Sequence, residues 1–233
     1  MLARLQDAFQ KLEHSLQMQR DFVADVSHEL RTPLTTLRGN LGLLRRDPPT
    51  PPEEQADILS DMVDESDRLI RLVNDLLLLA RADAGRSLAK EALEIQPVLD
   101  ETVRQAHQLD ENRQINLKVL PNITILGDRD AFKQVMLILL DNALKHSDGE
   151  IDVMVSQASA QVEVSVQDHG PGISPEIMEH IFDRFYRGEE NPIAPGFGLG
   201  LPIAKALVEG MDGTITIESD IGEGSTVVMR FLQ

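Results

Sequence analysis

A seven-residue apolar repeat constrains the first part of this chain more than any other feature. Over five heptads, apolar residues recur in steps of three and four or their sums, at Leu2, Leu5, Phe9, Leu12, Leu16, Val23, Val26, Leu30 and Leu37. Such a repeat is typical of a coiled coil or of a helix in a bundle. Gln19 and Pro33 occupy the two remaining seam positions. Because proline removes a backbone hydrogen bond, we expect a kink in the helix at Pro33.

A second long helix is predicted from about Glu53 to Ala82, after the proline-rich segment Asp47–Pro52. Its predicted apolar stripe consists of Leu59, Met62, Leu69, Val73, Leu76 and Ala80. Two long helices joined by a short loop form an antiparallel hairpin, but a single hairpin cannot bury two such stripes. We therefore expect a homodimer through the N-terminal helices, in which two hairpins form a four-helix bundle.

The apolar periodicity changes at Ala84–Ser87, where we place a domain boundary. The expected division is a helical domain over 1–84, a linker over 85–92 and a second domain over 93–233. In the second domain we predict three helices, one over 97–108, one that begins at Asp128 or Asp130, and one over 199–208. We predict strands over 115–120, 123–126, 151–155, 162–166, 214–218 and 226–231. This mixture predicts an α/β sandwich, with helices covering one face of a sheet.

Composition excludes several classes of function. The net charge of −17 argues against general nucleic-acid binding, because a phosphate backbone would be repelled. The longest apolar run, Val135–Leu140, is far too short to span a bilayer. The absence of cysteine excludes disulfides and fits a reducing cytosol. The chain starts within a heptad, and no helix cap precedes Leu2. We therefore expect this chain to be the cytoplasmic portion of a longer protein, whose upstream segment senses a signal and is anchored in a membrane.

His28 falls at heptad position f, the position most distant from the partner helix, where a bulky phosphodonor has access to its ring. His14 also falls at position f, and there a solvated surface residue is the simpler interpretation. The neighbours of His28 distinguish it. Glu29 can accept a hydrogen bond from one ring nitrogen and make the other more nucleophilic. Thr32 lies one turn away on the same face, where its hydroxyl can position water against a phosphorylated imidazole.

A carboxamide, Asn142, closely follows the apolar run and needs a polar partner there. Lys145 and His146 lie three and four residues further on, so all three side chains share one face of a helix. This face offers a magnesium ligand and two contacts for phosphate. The alternative for Asn142 is an amide that caps a neighbouring loop.

Two glycine-containing loops supply the rest of a possible nucleotide site. The first loop follows a strand and contains Asp168, Gly170 and Gly172. The carboxylate of Asp168 can bind the exocyclic amine of adenine, and the two glycines permit close approach of the backbone. The second opens a helix, whose N-terminus favours phosphate: Gly196, Gly198, Gly200 and Leu201. Either pattern alone is weak, because ordinary turns contain it. A Rossmann unit does not fit, since the pattern spans two loops and no parallel βαβ unit surrounds it.

The segment from Phe22 to Leu34 resembles the H box of bacterial two-component sensor histidine kinases. Further segments resemble, in order, the N, first glycine, F, second glycine and last boxes of that family: Leu139–Ser147, Asp168–Ile173, Ile181–Arg187, Gly196–Leu201 and Gly222–Thr226. The resemblance covers the chain from about residue 20 to its end. It implies the ATP-binding fold that these kinases share with gyrase, Hsp90 and MutL proteins.

The resemblance also implies roles. ATP would phosphorylate His28, and the phosphoryl group would pass to an aspartate in the receiver domain of a response regulator. Glu29 would act as the acid/base helper, and Thr32 would support phosphatase activity. In the implied nucleotide site, Asn142 would bind Mg²⁺, and Asp168 would bind adenine with Thr226 nearby. Phosphate contacts would come from Lys145, Arg184 and Arg187, and further contacts from His146 and Tyr186. The segment Glu189–Pro195 would form a mobile lid.

One departure from the family pattern concerns the metal. Family members commonly carry a second Asn four residues before the main one, but this chain has Ile138 there. His146 likewise stands where Tyr is usual. We expect ATP binding with weakened metal dependence or slow turnover. Two alternatives are an ATPase of the same fold that drives conformational change, and a catalytically weak kinase-like scaffold that docks a regulator and dephosphorylates it.

Overall fold

The computed structural model describes residues 2–46, 50–83, 88–158, 161–188 and 196–232. The predicted boundary at Ala84–Ser87, the predicted lid at Glu189–Pro195, residues 47–49 of the proline-rich segment and the side chain of His14 lie outside the described residues. The chain divides into two compact units, residues 1–74 and 75–233, and each is described by itself. This division falls inside the second long helix, whereas the predicted domain boundary follows that helix.

The order of elements agrees with a helical region followed by a mixed α/β region. The elements are α1 (Leu2–Leu44), α2 (Pro52–Asp83), β1 (Glu91–Glu94), α3 (Gln96–Leu109), β2 (Ile115–Lys118), β3 (Thr124–Gly127), α4 (Arg129–His146), β4 (Ile151–Ala158), β5 (Gln161–Asp168), α5 (Pro175–Met178), α6 (Gly200–Gly210), β6 (Thr214–Asp220) and β7 (Gly224–Leu232).

The first unit contains α1 and most of α2, and α1 continues as a helix through Pro33. Pro33 is buried, and half-buried residues recur around its side of α1 at Phe22, Val26, Glu29, Leu37, Asn40 and Leu44. A second side of the same helix exposes Val23, Leu34 and Leu41. α1 therefore has two apolar sides, as a helix with more than one packing partner does. Among the described residues, no helix is both long and apolar enough to cross a bilayer.

The apolar stripe predicted for α2 is only partly buried within the chain. Leu59 and Val73, which the prediction placed on this stripe, are 52% and 46% exposed. The buried residues of α2 are instead Ile58, Leu72 and Leu79. The prediction merged two adjoining apolar sides, because helical spacing alone does not distinguish a side that packs within the chain from one that stays open.

The second unit contains a five-stranded mixed sheet in the order β2-β4-β5-β7-β6. The predicted strands over 151–155 and 162–166 belong to β4 and β5, which pair antiparallel, and those over 214–218 and 226–231 belong to β6 and β7, which also pair antiparallel. Burial alternates along β4, with Ile151, Val153 and Val155 buried and the residues between them more exposed. Such alternation marks a sheet with one covered face. Helices α3, α4 and α6 pack on this sheet and on one another, which confirms the predicted sandwich.

Three features of this unit were not predicted. β2 pairs parallel to β4, with β3 and α4 between them along the chain. β1 pairs antiparallel with β3 in a separate two-stranded sheet, and it begins at Glu91, inside the expected linker. The short helix α5 also lies outside the predicted elements. The parallel pair precedes both glycine loops, so the Rossmann arrangement remains unsuited to them.

Helix α4 contributes a broad buried face to the core of the second unit, because its buried apolar residues cover about half of its circumference. They are Ala131, Phe132, Val135, Met136, Leu139, Leu140 and Ala143. The Phe132 ring meets that of Phe231 from β7 edge to face, with centroids 5.9 Å apart. Asp128 is the N-cap, since its carboxylate accepts hydrogen bonds from the amides of Asp130 and Ala131. Of the two predicted caps, the structure therefore selects Asp128.

We predict that Asp128→Ala lowers the free energy of unfolding by about 1 kcal/mol, because two amides of the first turn lose their acceptor. The matched control is Asp130→Ala, which removes an exposed carboxylate from the same turn without removing the cap. Urea denaturation followed by circular dichroism measures both variants. An equal effect of the two substitutions would contradict the assignment of the cap.

Candidate active site

The predicted magnesium ligand meets the second glycine loop near the carboxyl end of α4. A Cβ atom built on Gly200 would lie 3.3 Å from Ile138 Cγ2 and 3.8 Å from Asn142 Oδ1. Asn142 and Ile138 are both half-buried and lie one turn apart. The start of α6 therefore lies directly against the face of α4 that carries the carboxamide.

The N-terminus of α6 offers hydrogen-bond donors at this junction. No side chain caps it, and the first residues are Gly200, Leu201 and Pro202. The amides of a helix's first turn have no acceptor within the helix, and Pro202 has no amide to satisfy. Uncapped amides and the helix dipole favour an anion such as phosphate. The predicted phosphate-binding role of this loop thus has a physical basis beside Asn142.

The first glycine loop is packed against the end of α4. Asp168, the last residue of β5, accepts a hydrogen bond from the Gly170 amide at 2.9 Å. A Cβ on Gly170 would lie 2.6 Å from the His146 carbonyl oxygen and 2.9 Å from Asp168 Oδ1. Only glycine fits between these atoms. The loop therefore joins the carboxylate predicted to bind adenine to the helix that carries Asn142.

The turn between β6 and β7 holds the same loop from its other side. Gly172 has a φ of +75°, and a Cβ there would lie 2.2 Å from the Asp220 carbonyl oxygen. The Ile173 amide donates to Ser219 Oγ at 2.9 Å, and the Gly222 amide donates to the Pro171 carbonyl at 2.7 Å. The start of the loop, at Gly170, is thus held against α4, and its end, at Gly172 and Ile173, is held against the end of β6.

Thr226 lies on β7 close to the predicted adenine contact. It pairs with Gln167, and the next pair along the ladder is Asp168 with Ser225. Side chains of paired residues point to the same face of a sheet, and those of successive residues point to opposite faces, so Asp168 shares its face with Ser225, whereas Thr226 shares the other face with Gln167. The register therefore sets Ser225, rather than the predicted Thr226, beside the predicted adenine contact, and the sequence reasoning missed Ser225.

Arg113 fixes the loop between α4 and β4 and was missed by the sequence reasoning. Its guanidinium donates to the carbonyl oxygens of Leu144, Ser147 and Gly149, and its side chain is only 9% exposed. A planar guanidinium with five donors is well suited to several carbonyls at once. No sequence signal identifies this role, because Arg113 lies more than 30 residues before its partners in the chain.

The segment predicted to contact phosphate through Arg184 and Arg187 meets the second glycine loop. The Phe185 amide, at a residue with a φ of +61°, donates to the Gly198 carbonyl at 3.1 Å. A Cβ on Gly198 would lie 2.4 Å from the Tyr186 carbonyl oxygen. Tyr186 and both arginines are half-buried. Gly196, by contrast, is exposed, and a Cβ there would meet open space.

Lys145 and His146 border a cavity of about 390 Å³ at the end of α4. Asp148, Gly149, His169 and Pro171 are among its other lining residues. The Lys145 ammonium forms an ion pair with Asp141 one turn earlier on α4. The predicted phosphate contact is therefore engaged within its own helix, and a phosphate would have to replace Asp141 as its partner.

The histidine site of the first unit matches the predicted exposure but not every predicted contact. His28 and Thr32 are exposed, and they share one face of α1 because they lie four residues apart. The structure shows no hydrogen bond between the His28 ring and Glu29, both of which are described residues. Adjacent side chains leave a helix in directions about 100° apart, so they do not face each other.

The residues around Asn142 fit Mg²⁺ in the way that nucleotide sites usually hold it. Within the described residues, no three His, Asp or Glu side chains form a metal cage. Mg²⁺ in such sites is commonly held by one or two protein oxygens together with phosphates and water. Asn142 could supply one such oxygen, whereas Ile138 has none to offer. Bound Mg²⁺ would neutralise phosphate charge there.

Comparison with known families agrees with this geometry. Residues 18–85 match the family model described as the His Kinase A (phospho-acceptor) domain. Residues 127–233 match the model described as Histidine kinase-, DNA gyrase B-, and HSP90-like ATPase. The chain belongs to the bacterial two-component sensor histidine kinases. The predicted family and fold class are thereby confirmed, and the two domains are those of a protein-histidine kinase with an ATP-binding fold.

Individual relatives support this assignment. Signal transduction histidine-protein kinase ArlS of Staphylococcus haemolyticus is 33% identical over 231 residues, covering 97% of this chain and 51% of that protein. Sensor protein SrrB of Staphylococcus aureus is 36% identical over 231 residues, covering 94% of this chain and 39% of that protein. This kinase chain thus spans about half the length of these curated relatives, or less.

Solved structures agree as well. The Acinetobacter baumannii histidine kinase AdeS superposes with a TM-score of 0.73 at 25% identity, over 88% of this chain and 97% of that one. Full-length ShkA in complex with AMPPNP superposes with a TM-score of 0.67 at 28% identity, over 89% of this chain and 44% of that one. The domain limits and the roles of individual site residues remain predictions.

We predict that Gly172→Ala destabilises the kinase by about 1–3 kcal/mol more than Gly222→Ala, because its new methyl group would overlap the Asp220 carbonyl. Both glycines have a positive φ, +75° and +87°, but a Cβ on Gly222 meets open space. The pair thus separates steric overlap from backbone strain. Urea denaturation gives the difference in stability, and equal losses would show that backbone strain alone decides both.

Proposed function

We propose that this kinase autophosphorylates His28 from ATP and passes the phosphoryl group to an aspartate in the receiver domain of a response regulator. A nitrogen of the His28 ring attacks the γ-phosphorus, a P–N bond forms, and the bond from that phosphorus to the bridging oxygen breaks to release ADP. Glu29, whose carboxylate must first turn toward the ring, accepts the ring proton, and Thr32 supports removal of the phosphoryl group by water. The rate then depends on positioning and charge neutralisation.

The observation that carries this proposal is the meeting of three predicted elements at the end of α4. The carboxamide of Asn142 lies beside the uncapped start of α6 at Gly200, and the Asp168 loop packs on the His146 carbonyl of the same helix. The proposed metal ligand therefore lies on α4, and the proposed phosphate donors and base-amine acceptor lie on elements that pack against this helix. Such a set matches the three parts of a magnesium–adenine nucleotide. The complex of ShkA with AMPPNP, an ATP analogue, supports the same ligand class.

Phosphate contacts from Lys145, Arg184 and Arg187 belong to the same proposal. Lys145 exchanges Asp141 for phosphate when the nucleotide binds. An exposed pair spaced four residues apart on a helix contributes only about 0.3–0.5 kcal/mol, so this exchange costs little.

We further propose that the working form is a homodimer through α1 and α2. Both helices expose apolar residues on a second side, among them Val23, Leu34, Val63 and Ile70, at 59%, 55%, 60% and 55%. Their spacing follows the helical repeat, so another hairpin of the same sequence can cover them. An upstream sensing segment anchored in a membrane, and hence a cytoplasmic location for this portion, remains part of the proposal.

We predict that incubation with γ-labelled ATP and Mg²⁺ places an acid-labile label on the chain, and that His28→Ala abolishes it. A phosphorus–nitrogen bond to imidazole hydrolyses in acid, so acid lability identifies the acceptor type. The matched control is His14→Ala, which removes the other histidine at the same heptad position and should keep the label.

Each alternative gives a different result in this assay. Release of inorganic phosphate without label would indicate an ATPase of the same fold. Neither label nor phosphate release would indicate the kinase-like scaffold, which would still dephosphorylate a regulator through Thr32. Label that survives in His28→Ala would contradict the proposed acceptor.

We predict that Ile138→Asn lowers the Mg²⁺ concentration for half-maximal autophosphorylation by about tenfold, because a second polar group joins the surroundings of the metal. Ile138 Cγ2 borders the same Gly200 position as the Asn142 amide, so the new side chain points into this junction. Ile138→Val, which adds no polar atom, is the control. An unchanged rate and magnesium requirement in Ile138→Asn would refute the idea that Ile138 limits this site.

A further inference from the structure

An imidazole–carboxylate pair ties the loop that carries Asp168 to the sheet. His169 Nε2 lies 3.1 Å from Asp152 Oδ2 on β4. The Asn116 amide on β2 donates to Asp152 Oδ1 at 3.1 Å and to Glu150 Oε2 at 2.8 Å. The residue that follows Asp168 is thus connected through side chains to the two parallel strands.

Burial and charge favour this connection. The side chain of Asp152 is 19% exposed and that of His169 is 41% exposed. Hydrogen bonds from His169, and secondly from Asn116, hold the pKa of Asp152 below its usual value. The carboxylate therefore stays ionised and accepts strongly from both partners.

The backbone at His169 is confined as well. A Cβ on Gly149 would lie 2.9 Å from His169 Cβ and 3.1 Å from its carbonyl oxygen. The next residue, Gly170, packs on the His146 carbonyl and donates its amide to Asp168. Close packing thus holds the backbone around His169, and the bond to Asp152 adds a side-chain tether between the residue that follows Asp168 and the sheet.

We propose that His169 is a positioning residue, which acts through Asp152 to fix the Asp168 carboxylate so that the site discriminates adenine from guanine. The inference rests on the proposed function, because the contact between Asp168 and adenine is itself a proposal. Adenine presents an amine donor where guanine presents a carbonyl acceptor. A fixed carboxylate accepts from the first and repels the second. The phosphates are held by other elements, so a loosened loop loses base discrimination before it loses triphosphate binding.

The test is the affinity of the full chain for ATP and for GTP, measured by isothermal titration calorimetry at constant Mg²⁺. We expect the unaltered chain to prefer ATP. His169→Ala and Asp152→Ala should each weaken ATP binding about five- to tenfold, the effect of one ordinary hydrogen bond. GTP binding should change less than twofold. The double variant should lose no more than either single variant, because both remove the same interaction.

Two further variants serve as controls for structure. Glu163→Ala removes the bond between Arg230 and Glu163 at the other end of β5, where the carboxylate is 40% exposed, much as His169 is. It should leave the ratio of ATP to GTP affinity unchanged. His169→Gln retains a side-chain N–H donor and should keep most of the preference for ATP.

The variant Asp168→Asn separates failure of this inference from failure of the proposed function. If Asp168→Asn keeps the preference for ATP, the proposed adenine contact is wrong and the inference falls with it. If Asp168→Asn loses the preference while His169→Ala keeps it, only the positioning role is wrong. Equal losses of ATP and GTP affinity in His169→Ala would indicate general destabilisation and would also overturn the proposal.

Discussion

The arrangement of the second unit depends on how the carboxyl end of α4 is held. A helix end leaves carbonyl groups without partners, and here Arg113 satisfies three carbonyl oxygens in and just after the last turn. The carbonyl of His146, the last residue of α4, faces Gly170 and leaves no room for a side chain at that position. Because this end is fixed, the loop after β5 and the start of α6 can be placed against it. A deeply buried apolar helix thus supplies the rigid base on which the polar site is built.

Close contacts at glycines join the parts of this site. Gly198 meets the Tyr186 carbonyl, Gly224 meets the Asp168 carbonyl, and Gly200 meets the face of α4. At the first two positions a methyl group would overlap a backbone oxygen, which cannot move aside as a side chain can. The glycines therefore serve packing between elements as much as access for a ligand, and this dual demand explains why the sequence concentrates them in two loops.

Much of this organisation could be predicted from the sequence, and the failures have physical causes. Strong periodicity predicted both long helices, the helix α4 and the hairpins, because patterns over eight or more residues are hard to produce by chance. The exposure of Leu59 beside the buried Ile58 could not be predicted, because helical spacing does not show which of two adjoining apolar sides packs within the chain. β1 was missed because four residues with a single buried side chain, Leu93, carry no periodic signal. The role of Arg113 was missed because its contacts are long-range, and the motifs that were recognised are local in sequence.

The ion pair between Asp141 and Lys145 has a consequence for a chain with a net charge of −17. An unpaired ammonium beside a cavity would attract any small anion, as well as carboxylates from the chain's own surface. Its neighbour on the helix neutralises it instead, and at so exposed a position the pair is weak enough to open. A phosphate group can then displace Asp141 at little cost in free energy. The pair thus neutralises this ammonium while no anion is bound and leaves it available to one that binds.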